Sequence, residues 1–119
     1  MLSRLYALVG WGIVALGGLH MLTTFRLATS TPVGRVWFFG SGIAMSLVGA
    51  LNLLQRSYGA AAPGLRMVCR LANVVLTVFA AVAGRVTHAG LMEYILIVGL
   101  LGGALVLSFL PPASLPGKA

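Results

Sequence analysis

Residues 91–110 read LMEYILIVGLLGGALVLSFL, apolar at nearly every position and carrying a single charged side chain, Glu93. About 20 such residues are what an α-helix needs to cross the hydrocarbon of a bilayer. A strand of a membrane barrel needs only about half that length and alternates apolar with polar residues. No alternation is present here, so the stretch reads as a transmembrane helix. Pro111-Pro112 stops it, because proline cannot continue the hydrogen-bond ladder.

Three further runs of the same kind precede it. The connection Arg85-Val86-Thr87-His88-Ala89-Gly90 leads back to an apolar run over Met67–Gly84. Before that, Gly and Pro punctuate Ser57-Tyr58-Gly59-Ala60-Ala61-Ala62-Pro63-Gly64, a loop set between Arg56 and Arg66. The next run back, to Val36, opens with Trp37, Phe38 and Phe39, which fit an interfacial aromatic belt. It ends near Leu54 and is bounded by Ser30-Thr31-Pro32 and Gln55-Arg56. The first run, Leu5–Thr24, passes Gly17 and Gly18 with no small-residue cleavage site and no polar region after it, so it reads as a retained helix. The sequence therefore predicts an all-α membrane protein, a four-transmembrane-helix up-down bundle. It is expected to be a single integral membrane domain over 1–119, with helices at about 5–24, 36–54, 67–84 and 91–110.

Composition agrees. Of 119 residues, 60% are hydrophobic and 8% charged, with a mean hydropathy of +1.05. A water-soluble domain carries roughly a quarter of its residues as charges. The net charge of +7 comes from basic residues scattered singly between apolar runs, which argues against a nucleic-acid partner. It fits helix ends, where Arg and Lys reach the headgroups. An up-down bundle places Arg4, Arg56, Arg66, Arg70 and Lys118 on one side and Arg26, Arg35 and Arg85 on the other. The positive-inside bias then makes both termini cytoplasmic, as in a bacterial inner-membrane protein. The lone Cys69 has no partner for an internal disulfide and reads as a small apolar residue.

Small residues recur at helical spacing. Asn73, Thr77, Ala80 and Gly84 share one face of the third helix, and Gly42, Ser46 and Gly49 one face of the second. Gly10, Gly17, His20 and Thr24 share a face of the first, and Gly99 and Gly103 form a small-xxx-small pair in the fourth. Such faces let helix backbones approach where no hydrophobic effect drives them together.

Polar side chains at membrane depth are costly and mark the bundle interior. Asn52 and Asn73 fall at the same depth, so a hydrogen bond between their amides is the simplest way to satisfy both. On the opposite side, His20 lies one turn from the end of the first helix and Glu93 in the first turn of the fourth. Arg26, Arg85 and His88, with Thr23 and Thr24, complete a polar rim there. Glu93 is a favourable first-turn acid for the helix dipole, a partner for Arg26, Arg85 or His20, or a proton- or ligand-handling group.

His20 and His88 offer two imidazoles in the manner of haem axial ligands, although His88 sits in a short loop beside Gly90. One carboxylate and one cysteine leave too few ligands for a metal. No cofactor is named by these residues. In size and helix count the chain looks like the small multidrug resistance transporters, whose essential glutamate lies in the first helix, where this chain has no acid. In general build it is also similar to the DoxX-like group of small four-helix bacterial membrane proteins. The expected function is a non-enzymatic membrane protein with an outer polar pocket, His20, Glu93, Arg26, Arg85 and His88, for a small or lipophilic ligand. An accessory subunit of a larger membrane complex or a homo-oligomer fits the same residues. The alternatives are a proton- or cation-coupled transporter working as a dimer, and an isomerase-type enzyme using His20 and Glu93 as acid and base.

Overall fold

A computed structural model describes residues 1–26 and 31–110; Ser30, the Pro111-Pro112 stop and Lys118 lie outside the described residues. The chain forms α1 (Leu2–Thr24), α2 (Pro32–Tyr58), α3 (Pro63–Val86) and α4 (Leu91–Phe109), with no strand among the described residues. All four are long and apolar enough to span a bilayer. Large apolar side chains such as Leu8, Trp11, Leu47, Val75 and Ile95 face outward along their lengths, which only a lipid surrounding accommodates.

Two helices are longer than the apolar runs suggest, for local reasons. α2 begins a turn earlier because Thr31 is its N-cap, its hydroxyl accepting from Gly34 N at 3.1 Å, and Pro32 takes the first helical position. There its fixed φ suits the helix and its missing N–H costs nothing. α3 likewise opens at Pro63. Proline here starts a helix, and the connection shrinks to Gly59–Ala62.

The buried positions follow a three-four spacing: Tyr6, Gly10, Ile13 and Gly17 in α1, and Gly42, Met45, Gly49 and Asn52 in α2. Cys69, Asn73 and Leu76 continue it in α3, and Leu101, Ala104 and Ser108 in α4. That is the spacing of near-parallel bundle packing. α1 lies closest along α2 and α3 against α4, while α1 also touches α4 and α2 touches α3. At mid-depth Ile13, Met45, Leu76, Leu101 and Ala104 fill the axis.

The α1–α2 seam is built on glycine. A Cβ placed on Gly17 would meet Gly42 O at 2.6 Å, and one on Gly49 would meet Val14 N at 2.8 Å and Gly10 O at 2.9 Å. The two backbones are in direct contact, and Ser46 Oγ crosses the seam to donate to Val14 O at 3.3 Å.

Candidate functional site

Most polar side chains gather at the two ends of the bundle; Ser46 lies between them, as does Thr77, whose buried hydroxyl has no partner among the described residues. At one end the starts of α1 and α3 meet the ends of α2 and α4. Asn52 and Asn73, both fully buried, exchange amide hydrogen bonds: Asn52 Nδ2 donates to Asn73 Oδ1 at 2.8 Å, and Asn73 Nδ2 donates to Asn52 Oδ1 at 2.9 Å. Asn52 Nδ2 also donates to Val48 O, one turn back, at 2.8 Å. The Tyr6 hydroxyl of α1 donates to Asn52 Oδ1 at 2.7 Å, and the buried Cys69 thiol closes the group, 3.6 Å from Asn73 Nδ2. Three helices are thereby tied through one amide pair, and every polar atom of that pair is used.

Nearer the membrane surface a second set reaches α4. Gln55 Nε2 and Arg70 Nε both donate to the Ser108 carbonyl, at 3.1 and 3.0 Å. The Arg70 guanidinium also stands 4.9 Å from the Phe109 ring centroid. Arg56 Nε donates to Ser3 O at 2.8 Å and to Ser3 Oγ at 3.0 Å. Gln55 Oε1 is buried with no partner among the described residues.

The opposite end divides between two helix pairs. On the α1–α2 side the His20 ring stacks on Phe38, with centroids 3.7 Å apart and planes 17° from parallel. Thr23 and Thr24 turn their hydroxyls back to His20 O at 3.0 and 3.1 Å, so both are spent on their own helix. Arg26 is exposed in the turn that follows. On the α3–α4 side an open hollow is lined by Gly84, Arg85, His88, Ala89, Leu91 and Tyr94. The Tyr94 ring forms its wall by lying against Gly84, where a Cβ would clash with the ring at 2.8 Å.

His88 is held beside the hollow by the end of α3. Ala89 N donates to Gly84 O at 3.0 Å and His88 N to Arg85 O at 3.4 Å, the paired bonds of a Schellman stop. The residue closing such a stop is left-handed, and His88 has φ of 53°. Glu93 stands exposed in the first turn of α4. Among the described residues it forms no ion pair.

Of the five rim residues expected from the sequence, Arg85 and His88 thus share a hollow, His20 belongs to an aromatic stack, and Arg26 and Glu93 stand exposed. Tyr6, Gln55 and Ser108 at the amide end were not singled out by the sequence reading. Their signal was position: Tyr6 continues the Gly10–Gly17 face, and Ser108 the Leu101–Ala104 face. Among the described residues no three His, Cys, Asp or Glu side chains gather as they would to hold a metal ion. Compared with known proteins, the chain matches no protein family, no curated relative and no solved structure.

Proposed function

We propose that this integral membrane protein is non-enzymatic and holds a small amphiphilic ligand at the rim between α3 and α4. In this reading both termini are cytoplasmic, in an inner membrane of bacterial type. The observation that supports it is the hollow, where the Arg85 cation and the His88 imidazole stand over an apolar wall of Leu91 and Tyr94. A cation and a hydrogen-bonding ring beside apolar surface suit a ligand with a polar or anionic head and a lipophilic body. Glu93, in the first turn of α4 and exposed, lies between Leu91 and Tyr94 in sequence without lining the hollow itself. The filled axis at Ile13, Leu101 and Ala104, all fully buried, favours binding at the rim over passage through one copy of the bundle.

The test is native mass spectrometry of protein extracted with its endogenous small molecules. Wild type is expected to carry a bound species whose occupancy falls at least fivefold in Arg85→Gln, about what loss of one charge-assisted hydrogen bond brings. Equal occupancy in the two proteins would end this reading.

A second reading, an accessory subunit or a homo-oligomer, is favoured by one feature of α4. Gly99, Gly102 and Gly103 have nothing within 4 Å of where a side chain would start, so this small-residue face is open to another helix.

A further inference from the structure

At the amide end the described residues include cations with no acidic side chain to neutralise them. Arg70 is the eighth residue of α3, roughly 10 Å along the axis from the helix start, and its neighbours Cys69 and Asn73 are fully buried. A guanidinium at that depth needs partners. The described residues supply two incomplete ones: the Ser108 carbonyl in the last turn of α4, at 3.0 Å from Nε, and the face of Phe109. The only acid in the chain, Glu93, begins α4 at the opposite end of the bundle.

Arg56 repeats the arrangement. Its Nε is fixed by Ser3 O and Ser3 Oγ. In both arginines the Nε edge is held by a main-chain carbonyl, and neither Nη atom has a hydrogen-bond partner among the described residues. The remaining edge of a guanidinium, two parallel N–H groups, matches two oxygens of a phosphate. Fixing Nε removes most of the side-chain freedom that such binding would otherwise cost.

We propose that the phosphate of an anionic phospholipid is the missing partner, bound at the Nη edge of Arg70 between the start of α3 and the end of α4. Its acyl chains lie along Phe109, which is 57% exposed. The same end carries Arg4, Arg56 and Arg66 with no acidic side chain among the described residues, so a headgroup with net negative charge is preferred. Phosphatidylcholine has the same phosphate but brings a second cation into this field.

The experiment titrates purified protein in detergent with dioleoylphosphatidylglycerol, dioleoylphosphatidylcholine or inorganic phosphate and follows the melting temperature. The phosphatidylglycerol arm is expected to raise it by about 4 °C or more, the response of a ligand that binds only the folded state. Phosphatidylcholine should give less than half of that shift, and inorganic phosphate little. Arg70→Gln should lose most of the phosphatidylglycerol response. Arg70→Lys, which keeps the charge without the fork, should retain only part of it.

Equal shifts with the two lipids would overturn the proposal. A full shift with inorganic phosphate would make the ligand a soluble anion and end the lipid assignment. An Arg70→Gln protein responding like wild type would remove Arg70 from the site. If that variant does not fold, the lipid selectivity of the wild type and the response of Arg70→Lys decide the matter. Arg85 lies at the other end of the bundle, so failure here leaves the rim-ligand reading standing.

Discussion

His88 is the only non-glycine residue among those described with a positive φ, and it has no side-chain hydrogen bond there to repay the strain. A left-handed conformation costs an L-residue about 1 kcal/mol that glycine does not pay. His88→Gly is therefore expected to raise stability by about 0.5–1 kcal/mol, seen as a higher melting temperature. If His88 serves the hollow, the same variant binds its ligand less well, so stability and occupancy move in opposite directions. The amide pair should behave the other way. Asn52→Leu strands the Asn73 amide and the Tyr6 hydroxyl, and Asn73→Leu strands Asn52; each is expected to cost about 1–2 kcal/mol. The double variant should cost less than the sum, and additive losses would mean that the two amides are energetically independent. Counting helix turns places Asn52 beside Asn73, and His20 level with Glu93, because depth follows from a fixed rise per residue. It does not say which residues at one depth face each other. That depends on how each helix is rotated, which is why Arg85 and His88 share a hollow while His20 turns to Phe38.

Along the helices, glycine plays two roles that sequence spacing alone does not separate. Gly10, Gly17, Gly42 and Gly49 recur every seven residues and bring the α1 and α2 backbones together. Gly99 and Gly103 have the spacing of a packing motif but face open space. Gly17→Ala would set a methyl against Gly42 O and Ser46 N, main-chain atoms that cannot rotate away, and is expected to destabilise by about 1–3 kcal/mol. Gly103→Ala meets nothing and gains helix propensity, so a monomeric bundle should be stabilised by up to about 1 kcal/mol. Thermal unfolding of the two variants in one detergent compares them directly. A loss from Gly103→Ala would show that the α4 face is covered, and crosslinking before and after the change would reveal by another copy or a partner. The four apolar runs made helix number and order legible, because nothing but a helix satisfies so long an apolar backbone in lipid. The ends of α2 and α3 were not, since Pro32 and Pro63 mark a boundary without saying on which side of it the helix lies.

For the molecule as a whole, the hydrogen bonds Arg56–Ser3, Gln55–Ser108 and Arg70–Ser108 fix the starts of α1 and α3 and the ends of α2 and α4 at one end of the bundle. In a membrane, the α1–α2 and α3–α4 connections must then lie on one face and the α2–α3 connection on the other. The charges fall unevenly across these faces. Arg4, Arg56, Arg66 and Arg70 lie at the amide end, whereas Arg26, Arg35 and Arg85 share the opposite end with the single acid, Glu93. The orientation proposed above, with the amide end toward the cytoplasm, rests on the positive-inside bias. Cysteine labelling reads both levels of this argument in a Cys69→Ala background, the native thiol being fully buried. Thr31→Cys and Thr87→Cys, both at exposed positions, should react with an impermeant thiol reagent added outside intact cells. Ala60→Cys, in the exposed α2–α3 turn, should react only after the membrane is opened. If Thr31→Cys and Thr87→Cys reacted from different faces, an odd number of helices would cross between them and the bundle itself would be wrong. If the three positions kept their pairing but exchanged faces, the bundle would stand, and the uneven split of its eight Lys and Arg residues between the two faces would have failed to set its direction. The phospholipid at Arg70 would then belong to the outer leaflet, and the hollow at Arg85 and His88 would open to the cytoplasm.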